Sequence, residues 1–343
     1  MARIGVDGLM ISPEGKGHAR SERHAVEALA ARGEHELVVF VRGDVQLAGV
    51  EVVRVHERLT LDWELRGVVR AARRHRLDAF LSLSDRLPPV GGPPIALWLF
   101  ESPVHRIRTN RANGAPLRHR GSDAITSLLW KRSLRRAAHV AFGSRATRDD
   151  VGRDVALAST SVVYPGLAAG FSPGPAQDRG RYVFHLGSSD PRDNTAVAVE
   201  ACRLAGLRLL VAGGWRGEGA EALGRVSDDE LVDLYRGAAA FADPTLYEGF
   251  GYGVLEAMAC GVPVVASDVT SIPEVVADAG ILCDPRSPAA FAEALKRVVY
   301  EPGLADTMRE HGLAQAARFT WSETGAGLAR ALERALAARE TSR

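Results

Sequence analysis

The stretch Pro244–Gly261 reads PTLYEGFGYGVLEAMACG, and the rest of the chain is best understood outward from it. A short apolar run, Ala240–Ala242, precedes it and another, Val264–Ala266, follows; such continuous runs mark strands buried on both faces. Between them Glu248 stands where the first strand ends. Gly249, Phe250 and Gly251 then let the backbone come close to a ligand, and Gly251–Ala259 reads as a helix. The first N–H groups of such a helix lack partners and sit at the positive end of its dipole, which makes an anion site. Glu256 lies about two turns below Glu248, where a carboxylate can accept both hydroxyls of a ribose. On these residues alone the alternative stays open: a glycine-rich turn with Glu248 solvated and Glu256 paired to an arginine.

The same alternation extends through the chain. Ile4–Val6, Leu37–Val41, Val50–Val55, Ala79–Leu83, Ile95–Phe100 and Val140–Phe142 read as strands. Helical stretches lie at His18–Ala31, Leu61–Arg74, Ser127–Ala137 and Ala146–Val151. Phe171–Gly180 (FSPGPAQDRG) breaks the pattern and reads as a linker. Beyond it come strands at Tyr182–Leu186 and Leu207–Ala212, and helices at Thr195–Leu204, Asp228–Gly237 and Pro288–Tyr300. Short apolar strands separated by helices predict parallel sheets covered on both faces, an α/β chain of two doubly wound, Rossmann-like domains facing a cleft. Ligands in such sheets bind beyond the carboxyl ends of the strands. The expected division is residues 1–171, a linker at 172–180, a second domain at 181–322, and a terminal helix within 323–343.

Composition agrees with two globular domains. The 343 residues are 46% apolar and 25% charged, and the net charge of +1 gives no general attraction to nucleic acid. Cys202, Cys260 and Cys283 are far apart and form no C-x-x-C pair, so neither a disulfide framework nor a zinc site is indicated. No apolar stretch resembles a signal peptide or a membrane span, and a cytoplasmic protein is expected. One region is asymmetric in charge. Residues 105–136 carry Arg106, Arg108, Arg111, Arg118, Arg120, Lys131, Arg132, Arg135 and Arg136 against Asp123. They read either as peripheral contact with an anionic membrane or as a solvated face.

The wording of Val226–Pro285 resembles the donor domain of the family four glycosyltransferases, which have the two-domain GT-B fold. The family's E-x₇-E motif is matched by Glu248 and Glu256, inside Y-E-G-F-G and L-E-A-M-A-C-G-V-P-V-V-A-S. Val226-Ser-Asp-Asp-Glu-Leu with Leu234-Tyr235 before it, and Ile272-Pro-Glu-Val after it, match as well. More loosely, Ser144-Arg-Ala-Thr, Val162-Val-Tyr-Pro-Gly and Phe319-Thr-Trp match three further steps. The resemblance implies retaining, metal-independent transfer of a sugar from a nucleoside-diphosphate donor to a hydroxyl acceptor, with no further cofactor. It implies that Glu256 holds the ribose and that backbone at Gly249–Gly251 meets sugar and diphosphate. Glu248 would contact the transferred sugar, backbone near Val226 the base, and the helix Thr324–Ala338 would pack on the first domain. The loop Pro13–Arg20, with Gly15 and Gly17, would approach the donor phosphates; as a dinucleotide fingerprint it fails, because Arg20 holds the third glycine position. A plain flexible turn is the other reading of that loop.

The sequence departs from the family at two places. The family's G-R-x₄-K-N becomes Gly187-Ser188-Ser189-Asp190-Pro191-Arg192-Asp193-Asn194, so a serine and an aspartate replace two cations that brace the leaving diphosphate. Arg192 is then either a substitute clamp or the surface partner of Asp190 or Asp193. In the first domain the family's His-Asp becomes Phe100-Glu101, which leaves Glu101 and the loop residue His105 as candidates for acceptor chemistry. The absence of any D-x-D triplet accords with a site that needs no metal. A catalytically silent relative, an unusual donor and a nucleotide-sugar 2-epimerase are the competing readings. The Arg-rich, Lys-poor style suggests an actinobacterial origin and an antibiotic or glycan acceptor.

Overall fold

The computed structural model describes residues 1–12, 18–55, 62–83, 91–112, 120–174 and 182–340. The chain forms two compact units: Met1–Val104 with Arg118–Gly166 and Thr320–Arg343, and His105–Leu117 with Leu167–Phe319. Residues 175–180 of the expected linker lie outside the described residues, as do Gly15 and Gly17.

In the first unit the strands are β1 (Arg3–Asp7), β2 (Glu36–Val41), β3 (Glu51–Arg54), β4 (Ala79–Ser82), β5 (Ile95–Leu99), β6 (His139–Phe142) and β7 (Thr160–Val162). They form one parallel sheet in the order β3-β2-β1-β4-β5-β6-β7. Because side chains alternate across a strand, β2 sends Leu37, Val39 and Val41 into one core and Val38 and Phe40 into another. Strand β5 does the same, with Ala96 and Trp98 on one side and Ile95, Leu97 and Leu99 on the other. Helices α1 (His18–Ala30), α2 (Val68–Arg74), α4 (Arg120–Arg136) and α5 (Arg145–Asp154) belong to this unit, while α3 (Pro103–Ala112), between α2 and α4 in the chain, falls in the second unit from His105 onward. Helix α2 continues a π-helical turn at Trp63–Gly67, and Trp63 and Trp130 fill the second core.

The second unit repeats the plan with β8 (Tyr182–Leu186), β9 (Arg208–Ala212), β10 (Glu221–Gly224), β11 (Ala240–Asp243), β12 (Val264–Ser267) and β13 (Gly280–Cys283), in the order β10-β9-β8-β11-β12-β13. All pairs are parallel. Its helices are α6 (Thr195–Ala205), α7 (Asp228–Gly237), α8 (Tyr252–Ala259), α9 (Ile272–Val276), α10 (Pro288–Tyr300) and α11 (Leu304–Ala316). Helices α6 and α10 cover one face, burying Ala198, Cys202, Phe291 and Leu295 against Val183, Val211, Ala242 and Val265. His185 on β8 is wholly buried. Its Nδ1 donates to the Ala242 carbonyl at 2.9 Å, so its Nε2 accepts from Thr195 Oγ1 at 3.0 Å. Burial holds this imidazole neutral, with a pKa of about 4.

The last helix, α12 (Trp321–Glu340), belongs to the first unit, where Leu328, Ala329, Leu332 and Ala335 join the core beneath α1. A β-carbon on Gly325 would stand 2.7 Å from the Ala28 carbonyl oxygen, so the two helices meet at a distance that only glycine allows. This helix is longer at both ends than the expected Thr324–Ala338. Strands β7, β10 and β13 and helices α3, α9 and α11 were not among the expected elements, and α3 replaces the loop on which His105 was placed. Edge strands carry the smallest apolar signal, and β10 is half solvated along its length.

Candidate functional site

Three strand ends of the second sheet open onto a cavity of about 270 Å3. Leu186, Gly187 and Ser188 leave β8, Ala212 and Gly213 end β9, and Phe241, Asp243 and Thr245 leave β11; Glu248, Gly251 and Gly253 complete the lining. Parallel strands place all their carboxyl ends on one edge, which is why residues far apart in sequence converge there.

The loop 244–251 is held by distant partners. The Glu248 N–H donates to Thr270 Oγ1 at 3.1 Å and Ser271 Oγ donates to the Glu248 carbonyl at 2.8 Å. Ser267 Oγ reaches the carbonyls of Asp243 and Thr245 at 3.0 and 2.7 Å. Gly251 takes φ +105° as the residue capping α8, and the turn it makes brings the first turn of that helix to the cavity. A side chain at 251 would be strained in that conformation and would also meet Ile272 Cδ1 at 2.8 Å. Phe250 packs edge-on against Tyr252 and Phe319, anchoring the turn from beneath.

In the loop 187–194 the acidic side chains turn back on the loop itself. The Ser188 N–H donates to Asp193 Oδ2 at 2.6 Å, and the Asp190 N–H donates to Ser188 Oγ at 3.0 Å. Arg192 is paired with Asp190: its backbone N–H, Nε and Nη2 reach that carboxylate at 2.9, 3.0 and 2.8 Å. Three further bonds join this loop to its neighbour: the Leu246 N–H and Thr245 Oγ1 donate to the Arg192 carbonyl at 2.8 and 3.1 Å, and Asn194 Nδ2 donates to the Pro244 carbonyl at 2.8 Å.

Three carboxylates therefore line the cavity: Asp193, Asp243 and Glu248. Burial raises the pKa of Asp193, against the lowering effect of its hydrogen bonds with Ser188. Asp243 is pushed up to about 7, first by burial and then by the charge of Asp193. Asp243 was not among the sequence candidates, and neither were Thr270 and Ser271, the residues that hold Glu248 in place.

The structure thus brings Ser188, Glu248 and Gly251 to one cavity, with Gly249 and Phe250 buried in the turn between the last two. Glu256 lies on α8 and is 4% exposed; its Oε2 accepts from the Tyr235 hydroxyl at 3.3 Å. Val226 precedes Ser227, which forms a capping box with Glu230 at the start of α7. His105 stacks its ring on Tyr247 at 4.5 Å and 16°, next to Glu248 in sequence. Glu101 belongs to the first unit, just after β5. In the basic region, Lys131 pairs with Asp154 at 3.3 Å and Arg136 bonds to the Gly91 carbonyl. The side chains of Arg106, Arg111, Arg118, Arg120 and Asp123 lie outside the described residues. No helix among the described residues is long and apolar enough to cross a membrane. Among the same residues no three His, Cys, Asp or Glu side chains are grouped to hold a metal ion.

This stretch can be compared with known proteins. Residues 181–301 match the family of glycosyl transferases group 1. The match contains both loops, the cavity and the Glu248–Glu256 segment. O-antigen chain mannosyltransferase B from Escherichia coli is 37% identical over 161 residues, 41% of this chain and 42% of that one. The chain therefore spans less than half of that relative's length. Among solved structures, sucrose-phosphate synthase from Thermosynechococcus elongatus superposes with a TM-score of 0.81 at 19% identity, over 98% of this chain and 100% of that one. Anabaena Alr3699/HepE in complex with UDP and glucose gives 0.72 at 17% identity, over 97% and 100%. At such identities the likeness concerns the fold, which is that of the GT-B glycosyltransferases: two parallel-sheet, Rossmann-like α/β domains.

Proposed function

We propose that this chain is a retaining glycosyltransferase that moves a sugar from a nucleoside diphosphate to a hydroxyl acceptor without a metal ion. One observation carries the reading. Within the segment that matches group 1 glycosyl transferases, Glu248 and the N-terminal turn of α8 converge on a single cavity at the carboxyl edge of the sheet. A helix N-terminus suits the diphosphate. The carboxylate beside it suits sugar hydroxyls and the positive charge that grows at the anomeric carbon as the bond to phosphate lengthens. Glu256, one helix segment further in, receives the ribose, and backbone near Val226 meets the base. The UDP and glucose in the Anabaena structure support a nucleoside-diphosphate donor.

The reaction breaks the bond between the anomeric carbon and the diphosphate oxygen and forms one to the acceptor oxygen on the same face. The acceptor's proton passes to a phosphate oxygen of the departing diphosphate, so Glu248 is not asked to act as a nucleophile. Arg192 stands one residue before Asp193, the position of the family's missing lysine. Its clamp role requires it to share the Asp190 carboxylate that now holds it.

A second reading, an uncommon donor head group, is favoured by one fact. The cavity lining carries Asp193 and Asp243, where an ordinary diphosphate would be met by positive charge. Calorimetric titration of UDP, GDP and dTDP separates the two readings. Micromolar binding of one diphosphate, weakened by Glu256→Ala, supports the first; no binding of any leaves the second. Turnover that survives chelation supports metal independence, and loss of turnover restored by Mg²⁺ or Mn²⁺ removes it.

A further inference from the structure

Behind the cavity lies Tyr235, the last residue of the matched stretch that begins at Val226, and one to which the resemblance assigns no role. Tyr235, on α7, is wholly buried, and its ring meets Phe184 and Phe241 edge-on at 5.2 and 5.4 Å, with Phe171 at 6.1 Å. A ring boxed in this way cannot swing, so its hydroxyl has a fixed address. That address is the first two turns of α8: the Gly253 carbonyl at 3.2 Å and Glu256 Oε2 at 3.3 Å. The hydroxyl has one proton to give. An ionised carboxylate is the stronger acceptor, and the Gly253 carbonyl, inside the helix, already has a backbone partner within reach.

We propose that Tyr235 is the positioning residue for the donor's ribose, fixing one oxygen of Glu256 so that the carboxylate meets the ribose hydroxyls in a single orientation. The inference rests on the reading of Glu256 given above. A glutamate has three torsions between backbone and carboxylate, and its 4% exposure leaves little water to orient it. A diol is recognised only when both of its hydroxyls find an acceptor at once. A carboxylate pinned by a rigid phenol offers that geometry before the ligand arrives, so the ordering cost is not met at binding. Burial, and then the neighbouring Glu256, keeps the phenol protonated far above its usual range, so the donor persists at any working pH.

The test reads recognition of the ribose rather than stability. Wild type is titrated with UDP and with 2′,3′-dideoxyuridine diphosphate, and with the corresponding guanosine pair. For whichever base binds, the ribo form is favoured by about tenfold or more, as expected for hydrogen bonds to a charged group. Tyr235→Phe keeps the ring and its packing. It brings that preference to within roughly threefold, by weakening the ribo form and leaving the dideoxy form unchanged. Tyr182→Phe is the control, because that hydroxyl bonds the Leu234 carbonyl of the same helix and not Glu256; it retains the full preference. If Tyr235→Phe keeps the wild-type preference while Glu256→Gln abolishes it, the positioning role falls and the ribose site stands. If Glu256→Gln also keeps it, or no diphosphate binds the wild type, both fall.

Discussion

Loops 187–194 and 244–251 leave paired parallel strands, β8 and β11, are bonded to each other and end at the same cavity, yet they use their charged side chains differently. The second is suspended from outside: Thr270, Ser271 and Ser267 satisfy its backbone, so Glu248 and the start of α8 are presented to the cavity. The first is closed by its own side chains, with Asp193 on the Ser188 N–H and Asp190 on the Arg192 guanidinium. A loop tethered by distant residues can reserve its charges for a ligand. A loop tethered by its own acids directs its donors inward and shows a carboxylate outward. The two loops thus oppose each other electrostatically across one small volume, and a bound diphosphate has to reconcile them.

The largest expected effect lies in the suspended loop. Glu248→Gln keeps the size of the side chain and removes its charge. Turnover should fall by about a hundredfold or more, the usual consequence of deleting a group that stabilises charge in the transition state, while diphosphate affinity changes little. Steady-state kinetics beside calorimetry checks this; a variant with wild-type turnover would mean that the loop's geometry alone suffices.

The next effect belongs to the self-closed loop and has the opposite sign. Asp193→Asn can still accept the Ser188 N–H but no longer repels phosphate. Diphosphate affinity should rise about tenfold, since one charged contact is worth roughly 1.5–3 kcal/mol, and the gain should shrink as salt is added. Unchanged affinity at low salt would show that Asp193 is not near the bound phosphates. It would also favour the uncommon donor.

Much of this architecture was readable in advance, and its gaps have physical causes. Val38 and Phe40, or Ile95 and Leu97, announce central strands because both faces of the sheet bury them. Strand β10, Glu221–Gly224, has no such run because it is a half-solvated edge, and α3 begins at a proline and runs through His105, Arg106 and Arg108 without an apolar stripe. The segment from Glu248 to Glu256 was legible because one turn and one helix place it. The Asp193–Asp243 pair was not: fifty residues separate the two aspartates, and only the pairing of β8 with β11 brings them to one wall. The Tyr235–Glu256 bond depends in the same way on how α7 meets α8.

That wall should respond to pH. Asp243 titrates near 7 because burial and the charge of Asp193 both penalise its ionised form. Below that value the folded protein holds the proton, the cavity loses a negative charge, and diphosphate binds more tightly; above it binding weakens. The same shift bears on folding. A carboxyl whose pKa is raised in the folded state binds its proton more strongly there than in the unfolded chain, so its contribution to stability declines as pH rises from about 4 to about 7. Affinity measured between pH 6 and 8 should show the slope in wild type and lose it in Asp243→Asn. A slope that persists in the variant belongs to another group, such as the phosphate itself.

The smallest effect decides what Arg192 is for. Its ion pair with Asp190 joins two partly exposed side chains, a kind of contact worth no more than about 1 kcal/mol, so a diphosphate can compete for the guanidinium. If Arg192 serves the leaving group, Arg192→Ala lowers both diphosphate affinity and turnover, and Asp190→Asn raises affinity by roughly threefold because the arginine no longer has to be shared. If Arg192 serves only to close its own loop, both substitutions loosen the same turn and act in the same direction. The sign of the Asp190→Asn effect therefore separates a cation kept for the ligand from one that belongs to the loop.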